Sequence, residues 1–452
     1  MPPRPPSLPA SPVAGLKVLR AELGKLGYTE EGLRERLGLR GVAAAGYFAA
    51  LADPPLTPSP DGHSPLDWLI QLFLLRESVA RSELARLLSA EALEALEAVQ
   101  LVHTLGGQLE ASAALLPFES LYVCADFAIG QRAEDAVGFP DPATLAGSRM
   151  MEPTADIERN TAVCLHAGTG LLPLLLKNKY GFSRVRVHDD EPRARQLTAL
   201  AAALNDVPLD LSAEAPSVNP AGSVDMVVAS FPGIYRSSTV WGRRQGSLDE
   251  ARWARAFALA AQLLGEKGRA VLCHEIRTQP SDWFARQLQP VLGKGDLEVV
   301  WISSHGPGLW DGSQVDMGVS VMWRRPKDPT RAPLSHAGSL LGLPNATARG
   351  LQLYLESRKL LELRPVTEVL KMIPYRNARA IIDMRYEVGK DRTLVPGSLQ
   401  IGPQGWSPVA LEVLNLCNNV NTLQQVANCG ENYAQIALEL VVDGAVYLRR
   451  AE

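Results

Sequence analysis

Val163-Cys164-Leu165-His166-Ala167-Gly168-Thr169-Gly170 is the stretch that decides how this chain folds. A short apolar run ends in a Gly-x-Gly turn, and the apolar residues Leu171 to Leu176 follow. That pattern predicts a buried strand, a tight loop and then a helix. Glycines let the backbone come close to a ligand. In open α/β sheets ligands sit outside the carboxyl ends of the strands, where this loop falls. About twenty residues on, Asp189 closes what reads as the next strand, after Val185-Arg186-Val187-His188; an acid there accepts hydrogen bonds from ribose hydroxyls. The stretch points to a site for a nucleoside. A lone Gly-x-Gly also marks ordinary turns, so the reading leans on the order of elements that follows.

That order is strand 185–189, helix 191–205, strand 209–213, strand 223–231, helix 248–265, strand 268–276, helix 281–292, strand 296–305 and strand 317–325. Strands alternating with helices argue for a doubly wound parallel sheet. The last two strands are separated only by the Gly/Pro-rich loop Gly306 to Gly312. They must pair antiparallel, because parallel pairing needs a long crossover.

The layout resembles the class I S-adenosylmethionine-dependent methyltransferases, in the small-domain group with an Asn-Pro-Pro-Tyr loop, here with degenerate motifs. His166-Ala167-Gly168-Thr169-Gly170 aligns with that family's cofactor loop. Asp189-Asp190-Glu191-Pro192-Arg193-Ala194, running into Ala201-Ala202-Ala203-Leu204-Asn205, aligns with its ribose-binding strand end and helix. Ser223-Val224-Asp225-Met226-Val227-Val228-Ala229-Ser230-Phe231-Pro232-Gly233 stands in the place of its catalytic loop. The likeness covers roughly residues 120–325, and the whole chain is similar to a bacterial subgroup with helical domains on both sides.

The resemblance implies an α/β fold: a Rossmann-like seven-stranded methyltransferase sheet with a C-terminal antiparallel hairpin, flanked by N- and C-terminal helical winged-helix-like domains. It implies S-adenosyl-L-methionine as cofactor, held by His166, Gly168, Thr169, Gly170, Asp189 and Glu214, the last at the adenine edge. The implied acceptor is an amino nitrogen of a nucleic-acid base or of a protein glutamine, with Ser230, Phe231 and Pro232 lining its place. No metal is implied. The chain departs from the family at His166, where an acid is usual, at Leu172, where a third glycine is usual, and at Ser230-Phe231-Pro232-Gly233, where Asn or Asp followed by Pro-Pro-aromatic is usual. Ser230 accepts a hydrogen bond but is shorter and less directional than an amide; Phe231 or Tyr235 stands in for the stacking ring. The alternative reading is a catalytically inactive scaffold of the same fold. A dinucleotide dehydrogenase fits less well, because position 173 is Pro rather than the third glycine.

The bulk composition agrees with a soluble, cytoplasmic protein of several domains. The chain has 452 residues, 46% hydrophobic and 21% charged, with a formal net charge of −4, so no global pull toward nucleic acid is expected. Arg243-Arg244 and Arg324-Arg325 are small local candidates for a basic patch. The five cysteines show no Cys-x-x-Cys pairing and read as reduced thiols. No apolar run reaches the ~20 residues a membrane helix needs.

Four units are expected: a disordered Pro-rich tail over 1–12, an N-terminal winged-helix-like domain over 13–125, the methyltransferase-like domain over 126–325 and a C-terminal winged-helix-like domain over 326–452. In the first domain, Leu16, Leu19, Leu23 and Leu26 mark a helix stopped by Gly27, Thr29 restarts one, and Asp67–Leu75 and Glu83–Val99 follow, the last capped by Ser82. That last helix carries one basic residue, Arg86, against four glutamates, which favours a protein- or substrate-orienting role over phosphate contact. In the last domain, Ser407 caps a helix from Val409 to Asn418, two more run from Asn421 and Tyr433, and a strand closes the chain at 445–449. Finally, His166, His188, His274 and His305 all fall at expected strand ends, beside Asp189 and Glu275. They read either as a metal or proton-relay cluster or as separate rim histidines. A further option has His166 meeting the carboxylate end of the cofactor.

Overall fold

The computed structural model describes residues 15–40, 47–48, 50–51, 63–127, 137–153, 157–214, 222–231, 250–277, 297–307, 314–324, 335–338, 348–377, 382–388, 394–401, 404–442 and 444–450. At its centre an eight-stranded sheet is built on β6 (Thr161–Leu165), the strand expected from the apolar run before Gly168. Beside it β7 (Arg184–His188), and beyond that β8 (Asp210–Ser212), pair in parallel. On the other side of β6 come β9 (Val224–Phe231) and β10 (Leu264–Arg277), also parallel. The chain lays strands outward on one side of β6 and then returns to lay them on the other. The gap between the carboxyl ends of β6 and β9 is thus the switch point of the sheet, where α/β proteins bind ligands.

The far edge pairs β11 (Leu297–Pro307) and β12 (Gln314–Arg324) antiparallel and carries one strand more than expected. β12 inserts between β10 and β11, antiparallel to both. An additional short strand, β13 (Ser335–Gly338), runs parallel to β11, so the sheet carries eight described strands rather than seven. β10 starts four residues earlier than the sequence pattern gave, directly after α9 (Glu250–Leu263), with an irregular register between Leu264 and Arg269. Gly268 permits that bend: a Cβ there would lie 2.5 Å from the Val224 carbonyl. The expected helix 281–292 lies outside the described residues.

Alternation sorts the two faces. Val163, Leu165, Val227, Ala229, Phe231 and Leu272 pack with Trp253 and Phe257 of α9. Cys164, Met226, Val228, Val271 and Cys273 face a larger core on the opposite side. Buried on both faces, these strands read as near-continuous apolar runs. The helix after the Gly-x-Gly turn, α7 (Leu171–Asn178), buries every residue from Leu171 to Leu176, as an all-apolar helix must. α8 (Pro192–Asn205) follows β7 and ends where Asp206 turns left-handed at φ 55°.

The N-terminal region opens with α1 (Gly15–Lys25), burying Leu16, Leu19 and Leu23, and α2 (Glu30–Arg36), capped by Thr29. α3 (Pro65–Phe73) is capped by Ser64. The single helix expected over 83–99 is two, α4 (Arg81–Leu87) and α5 (Ala90–Ala98). Ser89, not Ser82, is the side-chain cap: it accepts from the Ala92 N–H while Leu88 is extended, so the chain breaks despite continuous apolar spacing. β1 (Val79–Ala80), β2 (Val102–Leu105) and β3 (Gln108–Ala111) form a small sheet beside the hairpin of β4 (Ala114–Phe118) and β5 (Leu121–Ala125). This region is docked on α8. The Asn205 side chain accepts from the Tyr122 N–H at 2.9 Å and donates to the Tyr122 carbonyl at 2.6 Å, imitating a strand partner. Arg20 donates to the Asn205 carbonyl at 2.8 Å.

α6 (Pro142–Met150) lies against the sheet from this same side, touching β10 and β12. Towards the C-terminus, α10 (Ala348–Leu363) and α11 (Val366–Val369) precede β14 (Ile373–Arg376), which pairs antiparallel with the final strand β18 (Val446–Arg449). Between them stand β15 (Ile382–Val388), β16 (Leu394–Ile401) and β17 (Gln404–Trp406), then α12 (Val409–Leu416), α13 (Leu423–Ala427) and α14 (Tyr433–Val442). α12 starts with Pro408 in the cap position and no side-chain cap, so Ser407 does not cap it as expected; Ser407 contributes its carbonyl to the Ala410 N–H instead. α13 carries a reciprocal cap between Thr422 and Gln425. Among the described residues, no helix is long and apolar enough to cross a membrane.

Candidate active site

The loop after β6 is built from left-handed residues. His166, Gly168 and Gly170 take φ of 57°, 55° and 82°. A non-glycine residue there costs about 1–2 kcal/mol, and His166 is held in it by its N–H on the His188 carbonyl at 2.8 Å. The two glycines serve different ends. A Cβ on Gly168 would meet nothing within 4 Å, so that backbone faces open space. A Cβ on Gly170 would lie 3.1 Å from the Thr198 Cα, so Gly170 lets α8 approach the loop. Thr198 also donates to the Gly168 carbonyl at 3.2 Å.

Asp189 reaches this loop from the end of β7. Its Oδ2 accepts from the Gly168 N–H at 3.3 Å and its Oδ1 from the Glu191 N–H at 3.0 Å; the residue is 2% exposed. Its carbonyl accepts from Arg195 at 2.6 Å. The glycine turn and the acid, placed about twenty residues apart by the sequence pattern, meet in space.

A small cleft opens beside the loop, at the switch point. It is lined by the loop and the start of α7 (Ala167, Gly168, Thr169, Leu171 and Leu172), by Ser230 and Thr144, and by Gly138, Phe139 and Pro140. Ser230 is the penultimate residue of β9, and its Oγ lies 2.7 Å from the Thr144 Oγ1 of α6. Leu172, in the place of a third glycine, supplies an apolar side to the cleft.

The remaining expected residues fall around this centre. Phe231 ends β9 and packs on His166 with ring centres 5.0 Å apart and the planes tilted by 50°. The His166 ring, outside the cleft lining, sits with Nδ1 3.4 Å from the Asp190 carboxylate. His166, Asp189 and Asp190 bring possible ligand atoms within 4.8 Å of one another, a trio that could hold a cation. Glu214 is exposed just past β8. Pro232 and Tyr235 lie outside the described residues, as do Arg243 and Arg244.

Two expectations are overturned. His274 is not at a strand end: β10 continues to Arg277, and His274 is fully buried at ring-centre distance 5.8 Å from Trp253. Burial pushes its pKa down to about 3, so the ring is neutral and belongs to the core. Arg324 is no part of a basic patch: it donates to the carbonyls of Leu264 and Ala261, closing the end of α9. The cysteines in the sheet are inert, since burial raises the Cys164 and Cys273 thiols well above their usual range.

Sequence reasoning missed Thr144 and the Gly138–Pro140 segment. The available signal was Asp141-Pro142: Asp141 caps α6, accepting from the Thr144 N–H at 2.6 Å, with Pro at the first position. It also missed the buried pair of Arg193, in the first turn of α8, with Asp126, whose Oδ1 takes the guanidinium Nε at 3.0 Å.

Residues 25–113 match a family described as a domain of unknown function (DUF7059). Among curated proteins, none matches the chain. Among solved structures, M. jannaschii TYW2 in complex with AdoMet is 11% identical, with 50% of this chain and 93% of that one covered and a TM-score of 0.33. The ribosomal protein L11 methylase of Lactobacillus delbrueckii subsp. bulgaricus is 16% identical, covering 39% of this chain and 75% of that one at a TM-score of 0.26. The tRNA (uracil-54, C5)-methyltransferase of Pyrococcus abyssi, with S-adenosyl-L-homocysteine, is 14% identical, covering 47% and 45% at a TM-score of 0.31. At such TM-scores the overlaps are partial, and the functional reading rests on the chain's own geometry.

Proposed function

We propose that the chain is an S-adenosylmethionine-dependent methyltransferase acting on an amino nitrogen of a nucleic-acid base or a glutamine side chain. One observation carries the reading: at the switch point of a parallel sheet, the open backbone of Gly168 lies beside both the Asp189 carboxylate and the cleft lined by Ser230. A nucleoside cofactor needs such a backbone approach with an acid for its ribose. Asp189 holds the ribose, Gly168 and Thr169 line the neighbouring part of the cofactor, Gly170 sets the loop against α8, and Glu214 stands at the adenine edge. His166 braces the loop through Phe231 and Asp190. Ser230 lines the acceptor's place, with Phe231, the next residue, packed on His166 beside it. When bound, the cofactor supplies a methyl group activated on a sulfonium; the protein's task is to bring an amine lone pair in line with it, a positioning role.

The N-terminal region, read as a winged-helix-like module, orients a substrate rather than gripping phosphates. Arg81 and Arg86 are paired with Glu97 and Glu83, which leaves α4 and α5 a poor electrostatic match to nucleic acid. The C-terminal region is read as a second docking module.

A second reading, an inactive scaffold of the same fold, draws support from Leu172 in the cleft lining and from the mutual bond of Ser230 and Thr144. Calorimetry separates the two. Micromolar binding of S-adenosylmethionine and its demethylated product, with no heat from NADH, is expected; silence with both would leave the scaffold.

A further inference from the structure

Two hydroxyls from different layers meet in the lining of the cleft. Ser230 comes from the end of β9 and Thr144 from α6, their oxygens 2.7 Å apart and the residues 6% and 4% exposed. α6 is fixed where they meet. Asp141 caps it through the Thr144 N–H, the Tyr180 hydroxyl donates to the Ser148 carbonyl at 2.6 Å, and Gly147 lies directly on the Cys273 sulfur, with no room for a Cβ.

Each hydroxyl has one donor and two acceptor positions, so a single bond between them leaves one donor and three acceptors. The rest of the cleft is largely apolar, with Phe139, Pro140, Leu171 and Leu172. A spot with three acceptors and one donor favours a group that brings more than one N–H over a carbonyl or ether, which can use only the single donor.

We propose that Thr144 is a positioning residue for the amine that enters this cleft. The inference rests on the methyltransferase reading: Thr144 fixes the Ser230 hydroxyl, and the pair together receive the N–H groups of the nitrogen to be methylated. The two hydroxyls do the work of one longer amide side chain. This makes α6, which lies outside every motif of the sheet, a determinant of acceptor chemistry.

Sinefungin, a cofactor analogue with a primary amine in place of the methylsulfonium, probes this spot without a known acceptor. Its affinity and that of S-adenosylhomocysteine are measured by calorimetry for the wild type, Thr144→Val and Thr144→Ser. Thr144→Val should weaken sinefungin about tenfold, the effect of losing one hydrogen bond to a charged group, while S-adenosylhomocysteine stays within about twofold and Thr144→Ser restores both. S-adenosylhomocysteine binding also reports that the valine variant is folded. If Thr144→Val weakens both ligands equally, or neither, the assignment of Thr144 fails while the methyltransferase reading stands. If the wild type binds neither ligand, both fall together.

Discussion

Gly170 and Thr198 pack so tightly that a Cβ on Gly170 would come within 3.1 Å of the Thr198 Cα and 3.2 Å of its side chain. Gly168, two residues earlier, is left-handed as well but has empty space where its Cβ would stand. One glycine serves the fold; on the proposed function the other serves the ligand, and substitutions should divide accordingly. Gly170→Ala combines a left-handed alanine with a collision against backbone, for a loss of about 2–4 kcal/mol in urea unfolding. Gly168→Ala carries only the conformational cost, about 1–2 kcal/mol. Yet it fills the open approach and should weaken S-adenosylmethionine at least tenfold. Equal stability losses in the two variants would contradict this division.

Asp189 carries a structural load and, on the proposed function, a second one for the ligand. Its carboxylate holds the Gly168 and Glu191 N–H groups. Asp189→Asn keeps the shape but turns one of those acceptors into a donor facing an N–H. Stability should fall by about 1–3 kcal/mol, the cost of a buried group left unsatisfied. Cofactor affinity should fall more steeply than in Glu214→Ala, since Glu214 is exposed at the end of β8. Calorimetry on the three proteins gives the comparison.

How far the sequence carried depends on where each cause lies along the chain. The run Val163–Leu165 and the turn at Gly168 were legible because a strand buried on both faces leaves an unbroken apolar signal and a left-handed turn calls for glycine. Asp189 was legible because one βα unit has a nearly fixed length. The break at Ser89 was hidden, since Leu84, Leu88 and Ala92 keep helical spacing across it and only the cap bond to Ala92 decides the matter. His274 looked like a rim residue because strand ends are not encoded locally; pairing with Met317 and Val315 on β12 carries β10 past it. Gly170 could not be assigned its true neighbour, as Thr198 lies a helix away. Thr144 belongs to no motif at all, and its contact with Ser230 appears only when α6 is laid on the sheet.

His274 gives the pH dependence a definite sign. Its ring is neutral in the fold, with a pKa lowered to about 3 by burial, against about 6.5 in an unfolded chain. Below that unfolded value the unfolded state binds a proton that the native state does not. The contribution to stability is complete above pH ~6.5 and is lost as pH falls towards the folded pKa, by up to about 1.4 kcal/mol per pH unit. In His274→Phe this loss disappears. Urea midpoints from neutral pH down to about pH 4 should therefore fall more steeply for the wild type than for the variant. Parallel curves would show that the ring does not stay neutral in the fold.

Arg193 and Asp126 test how the N-terminal region is joined to the site. Their side chains are 9% and 1% exposed, and Asp126 also accepts from the Val137 N–H at 2.9 Å. Arg193 stands at the start of α8, four residues after Asp189, so the pair anchors the helix packed on the Gly168–Gly170 loop. Removing one partner of a buried pair strands a charge, at a cost of about 3–5 kcal/mol. Asp126→Ala should show that loss. Replacing both, as Asp126→Leu with Arg193→Met, should recover part of it, because no charge is then left buried and unpaired. A double variant no more stable than Asp126→Ala would mean that the bond to Val137, rather than the ion pair, carries the joint. In the recovered double variant, S-adenosylmethionine affinity should remain close to wild type, since neither residue lines the cleft.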